Sequence, residues 1–170
     1  MPRPRDAAPA DTRPEVPVAD AGPGRLDWIG VRPASGVPMR QLSSARVRCD
    51  RGLDGDRYAR KGKRQVTLVQ AEHLPRVAQR LGRAVAPAEL RRNLVVSGIE
   101  LLALASRRFR IGGVRFEGTG PCDPCPKLAG ALGAGGMDAM QGHGGITARV
   151  LDDGELRTGD PVALESAAPA

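Results

Sequence analysis

Aromatic residues are nearly absent from this 170-residue sequence, at 2% of the chain. Because apolar residues still make up 41%, the core must be built from aliphatic side chains. The scarcity of aromatics disfavours the stacking platforms that bind single-stranded nucleic acid. An apolar run of membrane-spanning length is also lacking, as is the apolar centre of a secretory signal. These absences predict a cytoplasmic protein that has no membrane partner.

Cysteine and histidine are scarce too, with three and two residues. Such a small, odd number of cysteines argues against a disulfide framework. A structural zinc site needs four ligands, and only Cys49, His73 and His143 could join the pair Cys122 and Cys125. Zinc therefore stays an alternative that lacks a second paired motif. A thioredoxin-like redox pair would need a βαβ context, which the flanking sequence does not supply.

Basic residues exceed acidic ones, and the net charge is +7. This balance favours anionic partners such as phosphates, nucleic acid or a membrane surface. The arginines are scattered, without a long basic tract or a recognisable nucleic-acid motif. Nucleic acid is thus disfavoured, although a non-catalytic basic module that binds a cofactor or nucleic acid remains an alternative to an enzyme.

Residues 1–24 contain six of the fifteen prolines and few large apolar residues. This composition predicts a disordered leader, and residues 166–170 a disordered tail. Residues 25–165 are long enough for one domain with its own core.

Many short strands separated by turn residues are predicted within that domain, together with few helices. Residues 71–81 have helical spacing and end at Gly82, and residues 87–90 form a short helical turn. The pattern predicts a mainly β fold with peripheral helices, as a closed or strongly bent β-barrel. The predicted strands are residues 25–31, 43–48, 65–69, 93–97, a hairpin over 109–116, 146–151 and 155–164.

The strongest chemical signal is a Cys-x-x-Cys in a Gly- and Pro-rich segment that follows a strand. Pro126 suits the first position of a helix, so Cys125 falls at or beside its N-cap. There the helix dipole and the nearby Lys127 favour a thiolate, which is the nucleophilic and metal-binding form of cysteine. Cys125 is therefore predicted to be the reactive thiol, with Cys122 as its neighbour.

Three further clusters could serve a site, although each also has a purely structural interpretation. Arg92 and Asn93 precede a strand and could bind a planar anion, or they could simply be solvated. Gly144 and Gly145 after His143 could let backbone N–H groups approach a ligand, or merely form a loop. The last cluster, in the turn over residues 52–58, holds two carboxylates that could bind a metal, form a hydrogen-bonded anchor or cap the turn.

The order of these motifs resembles the MOSC domain family, named after the C-terminal domain of molybdenum cofactor sulfurases, in its small stand-alone bacterial form. The resemblance covers about residues 26–164. The matching motifs are residues 52–57, 64–68, 92–95, 97–99, 111–112, 124–125 with 127–128, 144–145, 148–150 and 159–162.

This resemblance implies a strongly bent β-barrel that works with the molybdenum cofactor, a molybdopterin. Cys125 matches the cysteine that carries a persulfide or ligates molybdenum in relatives, and Cys122 would be a neighbour that resolves a persulfide or stays idle. Arg92 and Asn93 would line an anionic pocket, with Arg149 as a further candidate. The implied activity is the reduction of N-hydroxylated compounds or the transfer of persulfide sulfur.

Two residues depart from the family pattern. Tyr58 stands where many members have His, and His143 where an Arg is expected, which removes one fixed positive charge. The pyridoxal-phosphate domain of the sulfurases has no counterpart in this sequence. A partner protein is therefore expected to donate sulfur or cofactor, and another could donate electrons for a small-molecule substrate.

Overall fold

The computed structural model describes residues 23–124 and 126–165. Residues 1–22 of the predicted leader, the predicted tail, Cys125 and the side chain of Lys127 lie outside the described part. Gly24, assigned above to the leader, begins the first strand. No helix within the described ranges is both long and apolar enough to span a membrane.

The described residues contain eleven strands. Seven of them close into a barrel, while a small second sheet packs beside it. The strands are β1 Gly24–Val31, β2 Arg40–Leu42, β3 Ser44–Arg48, β4 Gly52–Leu53, β5 Val66–Gln70, β6 Leu94–Ser97, β7 Arg108–Ile111, β8 Val114–Pro121, β9 Ile146–Val150, β10 Gly154–Arg157 and β11 Pro161–Leu164.

The barrel runs in the order β1, β11, β7, β8, β9, β5, β6 and returns to β1. β5 and β6 are parallel, whereas the other neighbouring strands are antiparallel. β2 extends the sheet beyond β1, and β3 joins β4 and β10 in the second sheet. The predicted fold class, a mainly β closed barrel with peripheral helices, is confirmed.

The barrel interior is filled by aliphatic side chains, as the composition requires. β7 and β8 alternate buried and more exposed residues, so one face of each lines the interior. Phe109 and Phe116 stack there with ring centroids 5.5 Å apart. β5 is buried at all five positions because helices cover its outer face.

Three short helices cover one side of the barrel: α1 Leu74–Leu81, α2 Pro126–Leu132 and α3 Gly136–Met140. The predicted helix over 71–81 is confirmed as a 3-10 turn followed by α1. It ends at Gly82, whose φ of 70° is the left-handed conformation that glycine favours. The helices bury a second apolar cluster against the outer faces of β1, β5 and β6, with Trp28, Val69, Val77, Val95, Leu128 and Met140 among its members.

The single strand predicted over residues 155–164 is wrong, because the structure divides it into β10 and β11. Gly159 has a φ of 95°, and the N–H of Arg157 donates to the Asp160 carboxylate at 2.9 Å. These features form a turn that sends β10 to the small sheet and β11 to the barrel.

Asp152 follows β9 and binds Arg115 on β8. Its carboxylate accepts hydrogen bonds from the Arg115 N–H, Nε and Nη2 at 2.8 to 3.0 Å. The Arg115 side chain, mainly through its hydrogen bonds, holds the pKa of Asp152 below its ordinary value. The carboxylate thus holds the end of β9 against β8.

Replacing Asp152 by asparagine is expected to lower the melting temperature near pH 7. A carboxyl with a depressed pKa stabilises the fold above the ordinary pKa of aspartate, about 4. That contribution is lost as the pH falls through the lower pKa of the folded state. The difference between wild type and variant should therefore shrink in thermal melts taken at progressively more acidic pH. A difference that stays constant down to the most acidic pH at which the protein folds would contradict this account.

Candidate functional site

Cys122 lies in the loop of residues 122–124, the Cys122 loop, which follows β8 and precedes α2 in the chain. Its side chain is buried, with 3% exposed, and its N–H donates to the Gly145 carbonyl at 2.8 Å. α2 begins at Pro126, as predicted. Cys125 itself lies outside the described residues, so its role stays a prediction.

Gly144 and Gly145 bring a second loop directly against the Cys122 loop. A Cβ on Gly144 would lie 1.9 Å from the Cys122 carbonyl oxygen, and one on Gly145 would lie 1.8 Å from the Leu68 oxygen. Only residues without a side chain permit this contact. The two glycines therefore allow a close approach to protein backbone, and their predicted contact with a ligand stays a prediction.

Arg92 connects the Cys122 loop with the loop of Gly144 and Gly145. Its guanidinium is buried and donates from Nε to the Gly144 carbonyl at 2.8 Å. Its Nη2 lies 3.5 Å from the carbonyl oxygens of both Cys122 and Asp123. A planar guanidinium can hold several acceptors in fixed directions at once. Arg92 therefore sets the position of the Cys122 loop relative to the glycine loop.

Asn93 is fully buried and ties strands together below the site. Its Oδ1 accepts hydrogen bonds from the Thr67 N–H and hydroxyl at 3.1 Å each, and its Nδ2 donates to the Gly30 carbonyl. Oδ1 also accepts from Arg32 Nη2 at 3.1 Å. Asn93 thus acts on the site through Arg32, which it helps to hold in place.

Arg32 is a site residue that the sequence analysis missed. It forms a buried ion pair with Asp56, where Nη2 and Oδ2 are 3.0 Å apart, and the Asp56 carboxylate is fully buried. The same carboxylate accepts from the Arg32 backbone N–H and Nε. Asp56 therefore belongs to an ion pair, which agrees with the anchoring role that was one interpretation of its turn.

A cavity of about 220 Å³ opens above this network. Arg64 Nη2 lies 3.7 Å from Cys122 Sγ, so a guanidinium faces the sulfur. We call this space the arginine cavity. It is lined by five arginines (Arg32, Arg60, Arg64, Arg91 and Arg92) with Tyr58, Thr67, Cys122 and Leu128.

The positive charge of the arginine cavity is only partly neutralised. Asp56 is paired with Arg32. Within the described residues, no carboxylate lies at ion-pair distance from Arg60, Arg64 or Arg91. Such a concave cluster of guanidinium groups favours anions. The scattered spacing of these arginines along the sequence gave no signal that they converge.

A second, smaller cavity of about 180 Å³ lies at the other side of the Cys122 loop. His73, Gln70 and Leu102 are among its lining residues. The rings of His73 and His143 contact each other, with centroids 4.4 Å apart. His143 is buried and directly precedes Gly144 in the glycine loop. It is not among the lining residues of either cavity.

Arg149 lies outside both cavities. It projects from the outer face of β9 and pairs with Glu117 of β8, with Nη2 and Oε1 2.9 Å apart. Its neighbours Ala148 and Val150 point into the barrel instead. The structure thus separates Arg149 from the other predicted residues.

A zinc site gains no support from the described residues. They contain no group of three or more His, Cys, Asp or Glu side chains that could hold a metal ion. Cys49, which the zinc alternative would need, is an exposed free thiol next to Asp153, whose carboxylate accepts from its N–H.

Comparisons with known proteins agree with this architecture. The family model described as MOSC domain matches residues 55–163. None of the curated proteins matches the chain.

Several solved structures are similar to this chain. The YuaD protein from Bacillus subtilis is 21% identical with a TM-score of 0.71, over 86% of this chain and 97% of that chain. YiiM from Geobacillus stearothermophilus is 20% identical with a TM-score of 0.69, over 85% and 76% of the two chains. YiiM from Escherichia coli is 22% identical with a TM-score of 0.65, over 86% and 72%. At these identities the similarity establishes the shared fold alone.

Proposed function

We propose that this chain, which belongs to the MOSC domain family, binds the molybdenum cofactor in the arginine cavity and acts through the thiolate of Cys125. In one version Cys125 ligates molybdenum, and the protein reduces N-hydroxylated compounds. In the other version Cys125 carries a persulfide sulfur, received from a donor protein, to an acceptor.

One observation carries the proposal, namely the convergence of five guanidinium groups and one cysteine sulfur on a single cavity. The molybdenum cofactor carries a terminal phosphate, and guanidinium groups bind phosphate oxygens in pairs. Sulfur is a soft ligand of the kind that transition metals accept. The arginines therefore fit the anionic end of the cofactor, and Cys122, three residues before the proposed ligand Cys125, brings a thiol to the same cavity.

Each part of the site has a separate task in this proposal. Arg60 and Arg64 at the open side would hold the phosphate. Arg92 would fix the Cys122 loop, and with it the start of α2, relative to the cofactor. When bound, the cofactor would supply a metal centre that exchanges electrons. A cytoplasmic electron donor and a small-molecule substrate are the partners expected for the reductase version.

Replacing Arg64 by glutamine tests this assignment in protein purified from a host that makes the cofactor. A hydrogen bond to a charged group contributes about 1.5–3 kcal/mol, so retention of the cofactor should fall about tenfold or more. Metal analysis and pterin fluorescence measure that loss. Arg76→Gln removes the same charge from the exposed face of α1, outside both cavities, and should retain the wild-type content.

Two other outcomes would replace the proposal. Nucleic acid that co-purifies and dissociates steeply as salt rises would identify a basic binding module, because phosphate contacts release counterions. One zinc per chain, with no pterin, would identify a structural zinc protein. Wild-type protein without molybdenum or pterin, from a host that makes the cofactor, would contradict stable cofactor binding.

A further inference from the structure

The second cavity shares one wall with the arginine cavity. That wall is the Cys122 loop, because Cys122 lines both spaces. The volume of the second cavity is about 180 Å³. Pockets that hold drug-sized ligands are larger, at about 300–1,000 Å³. The second cavity therefore suits only a small organic molecule.

The second cavity differs from the arginine cavity in charge. Among the described residues that line it, none is lysine or arginine, and only Asp123 carries a carboxylate. Asp123 is exposed, and no ion pair joins its carboxylate to a cation of the described part of the chain. An anion would therefore meet an uncompensated negative charge here, whereas the five arginines on the other side of the loop attract it.

A cation is disfavoured in the second cavity for a different reason. The buried guanidinium of Arg92 borders the Cys122 loop, since its Nη2 lies 3.5 Å from the carbonyl oxygens of Cys122 and Asp123. This distance is well within the Debye length of about 8 Å at physiological salt, so screening of the Arg92 charge is weak. The ligand that suits the second cavity best therefore has no net charge.

Apolar side chains form much of the lining of the second cavity. They belong to Leu101, Leu102, Pro121 and Pro124. Leu101 is buried, whereas Leu102 is 49% exposed. The other exposed large apolar side chains of the described residues, Val37 and Met137, lie outside both cavities. A ligand that covers Leu102 would remove apolar surface from water, which stabilises the complex.

Hydrogen bonds hold the walls of the second cavity to the barrel. The Leu101 N–H donates to Oε1 of Gln70, the last residue of β5, at 3.1 Å. On the opposite wall, the Cys122 N–H donates to the Gly145 carbonyl at 2.8 Å. The cavity is thus formed before any ligand arrives, which reduces the entropy cost of binding.

We propose that the second cavity binds a small, uncharged organic molecule. Its apolar body packs against Leu102, and a hydrogen-bond donor such as a primary amide faces the Asp123 carboxylate. This assignment goes beyond the proposed function, because it concerns a different cavity and needs neither molybdenum nor pterin. The Cys122 loop would then separate two ligand classes, with anions on the side of Arg64 and uncharged molecules on the other side.

Benzamide and benzoate test this proposal, because they have nearly the same shape and differ in charge. The full chain is labelled with ¹⁵N and purified from a host that does not make the cofactor. Benzamide is expected to shift the amide NMR signals of Gly142 and Leu102, at the second cavity, until they saturate. Benzoate is expected to shift those of Tyr58 and Thr67, at the arginine cavity.

Two results with the wild-type protein would overturn the proposal. One is benzamide that shifts neither Gly142 nor Leu102 up to its solubility limit. The other is benzoate that shifts these two signals as strongly as benzamide does, because the second cavity would then not select against an anion.

Replacing Leu102 by serine should weaken benzamide binding about three- to tenfold, since roughly half of the transfer free energy of a leucine side chain is lost. The melting temperature checks that the variant is folded. Val37→Ser is the matched control, because Val37 is 41% exposed and lies outside both cavities. Benzamide affinity in Leu102→Ser that equals the wild-type value would contradict the proposed binding mode.

Replacing Asp123 by asparagine should admit benzoate to the second cavity, seen as new shifts at Gly142 and Leu102. Asparagine removes the negative charge but keeps an oxygen that accepts from the amide of benzamide. Asp54→Asn removes an exposed carboxylate outside both cavities and should keep the wild-type pattern. Benzoate that stays excluded from the second cavity of Asp123→Asn would overturn the role given to this carboxylate. None of these results depends on molybdenum or pterin, so the two proposals fail independently.

Discussion

Replacing Cys125 by alanine is expected to reduce the molybdenum content of the purified protein to background. If Cys125 ligates the metal, the variant loses the one bond that joins the cofactor to the chain through sulfur. If Cys125 carries a persulfide, wild-type protein should show a mass increase of one sulfur atom that the variant lacks. Elemental analysis and intact mass spectrometry separate these two cases, and circular dichroism checks that the fold is retained.

Cys49→Ala is the matched control for this experiment. Cys49 is a free, exposed thiol in the turn after β3, outside the arginine cavity. Its replacement should leave metal content and persulfide unchanged. Cys122→Ala completes the series, because Cys122 Sγ faces Arg64 and lines the arginine cavity. Loss of molybdenum in Cys122→Ala, with full retention in Cys125→Ala, would reassign the ligand to Cys122.

Replacing Asp56 by asparagine is expected to lower the free energy of unfolding by about 3–5 kcal/mol, the usual effect of breaking a buried ion pair. The carboxylate is fully buried and accepts three hydrogen bonds from Arg32, whose side chain is only 11% exposed. An uncharged amide leaves that guanidinium without a counter-charge. Urea denaturation followed by circular dichroism measures the loss.

Asp54→Asn is the control, because it changes the same chemical group two residues away. Asp54 also pairs with an arginine, Arg48, at 2.8 Å, but their side chains are 42% and 50% exposed. Water already solvates both charges, so the stability should hardly change. Equal losses in the two variants would show that burial does not decide the effect. Asp56→Asn should also weaken anion binding, since Arg32 lines the arginine cavity.

Local features of the fold and its barrel class were predictable from the sequence, whereas the pairing of its distant strands was not. The helix that ends at Gly82 and the hairpin at Gly112 and Gly113 depend on periodicity and turn residues near one another in the chain. The parallel pairing of β5 with β6, and the contact of β1 with β11, join distant segments. Burial of apolar side chains in the barrel interior determines which of these distant strands pair, and no local sequence pattern indicates the partners.

The site was predictable to the same extent. Arg92, Gly144 and Gly145 do meet Cys122, because the motif residues flank strands that converge in the barrel. Arg149 is on the outer face of β9, and strand alternation alone could not tell which face is the outer one. Arg32 and Asp56 are 24 residues apart in the chain, and no sequence motif indicates that they pair.

The pairing of Gly24 with Val162 brings the first and last strands of the barrel side by side. Because β1 and β11 are antiparallel, the chain enters and leaves the barrel at the same end of this pair. A short linker could therefore join the two ends, and new termini could be opened in an exposed loop elsewhere. The described domain is thus suited to circular permutation, with the linker placed between the start of β1 and the end of β11.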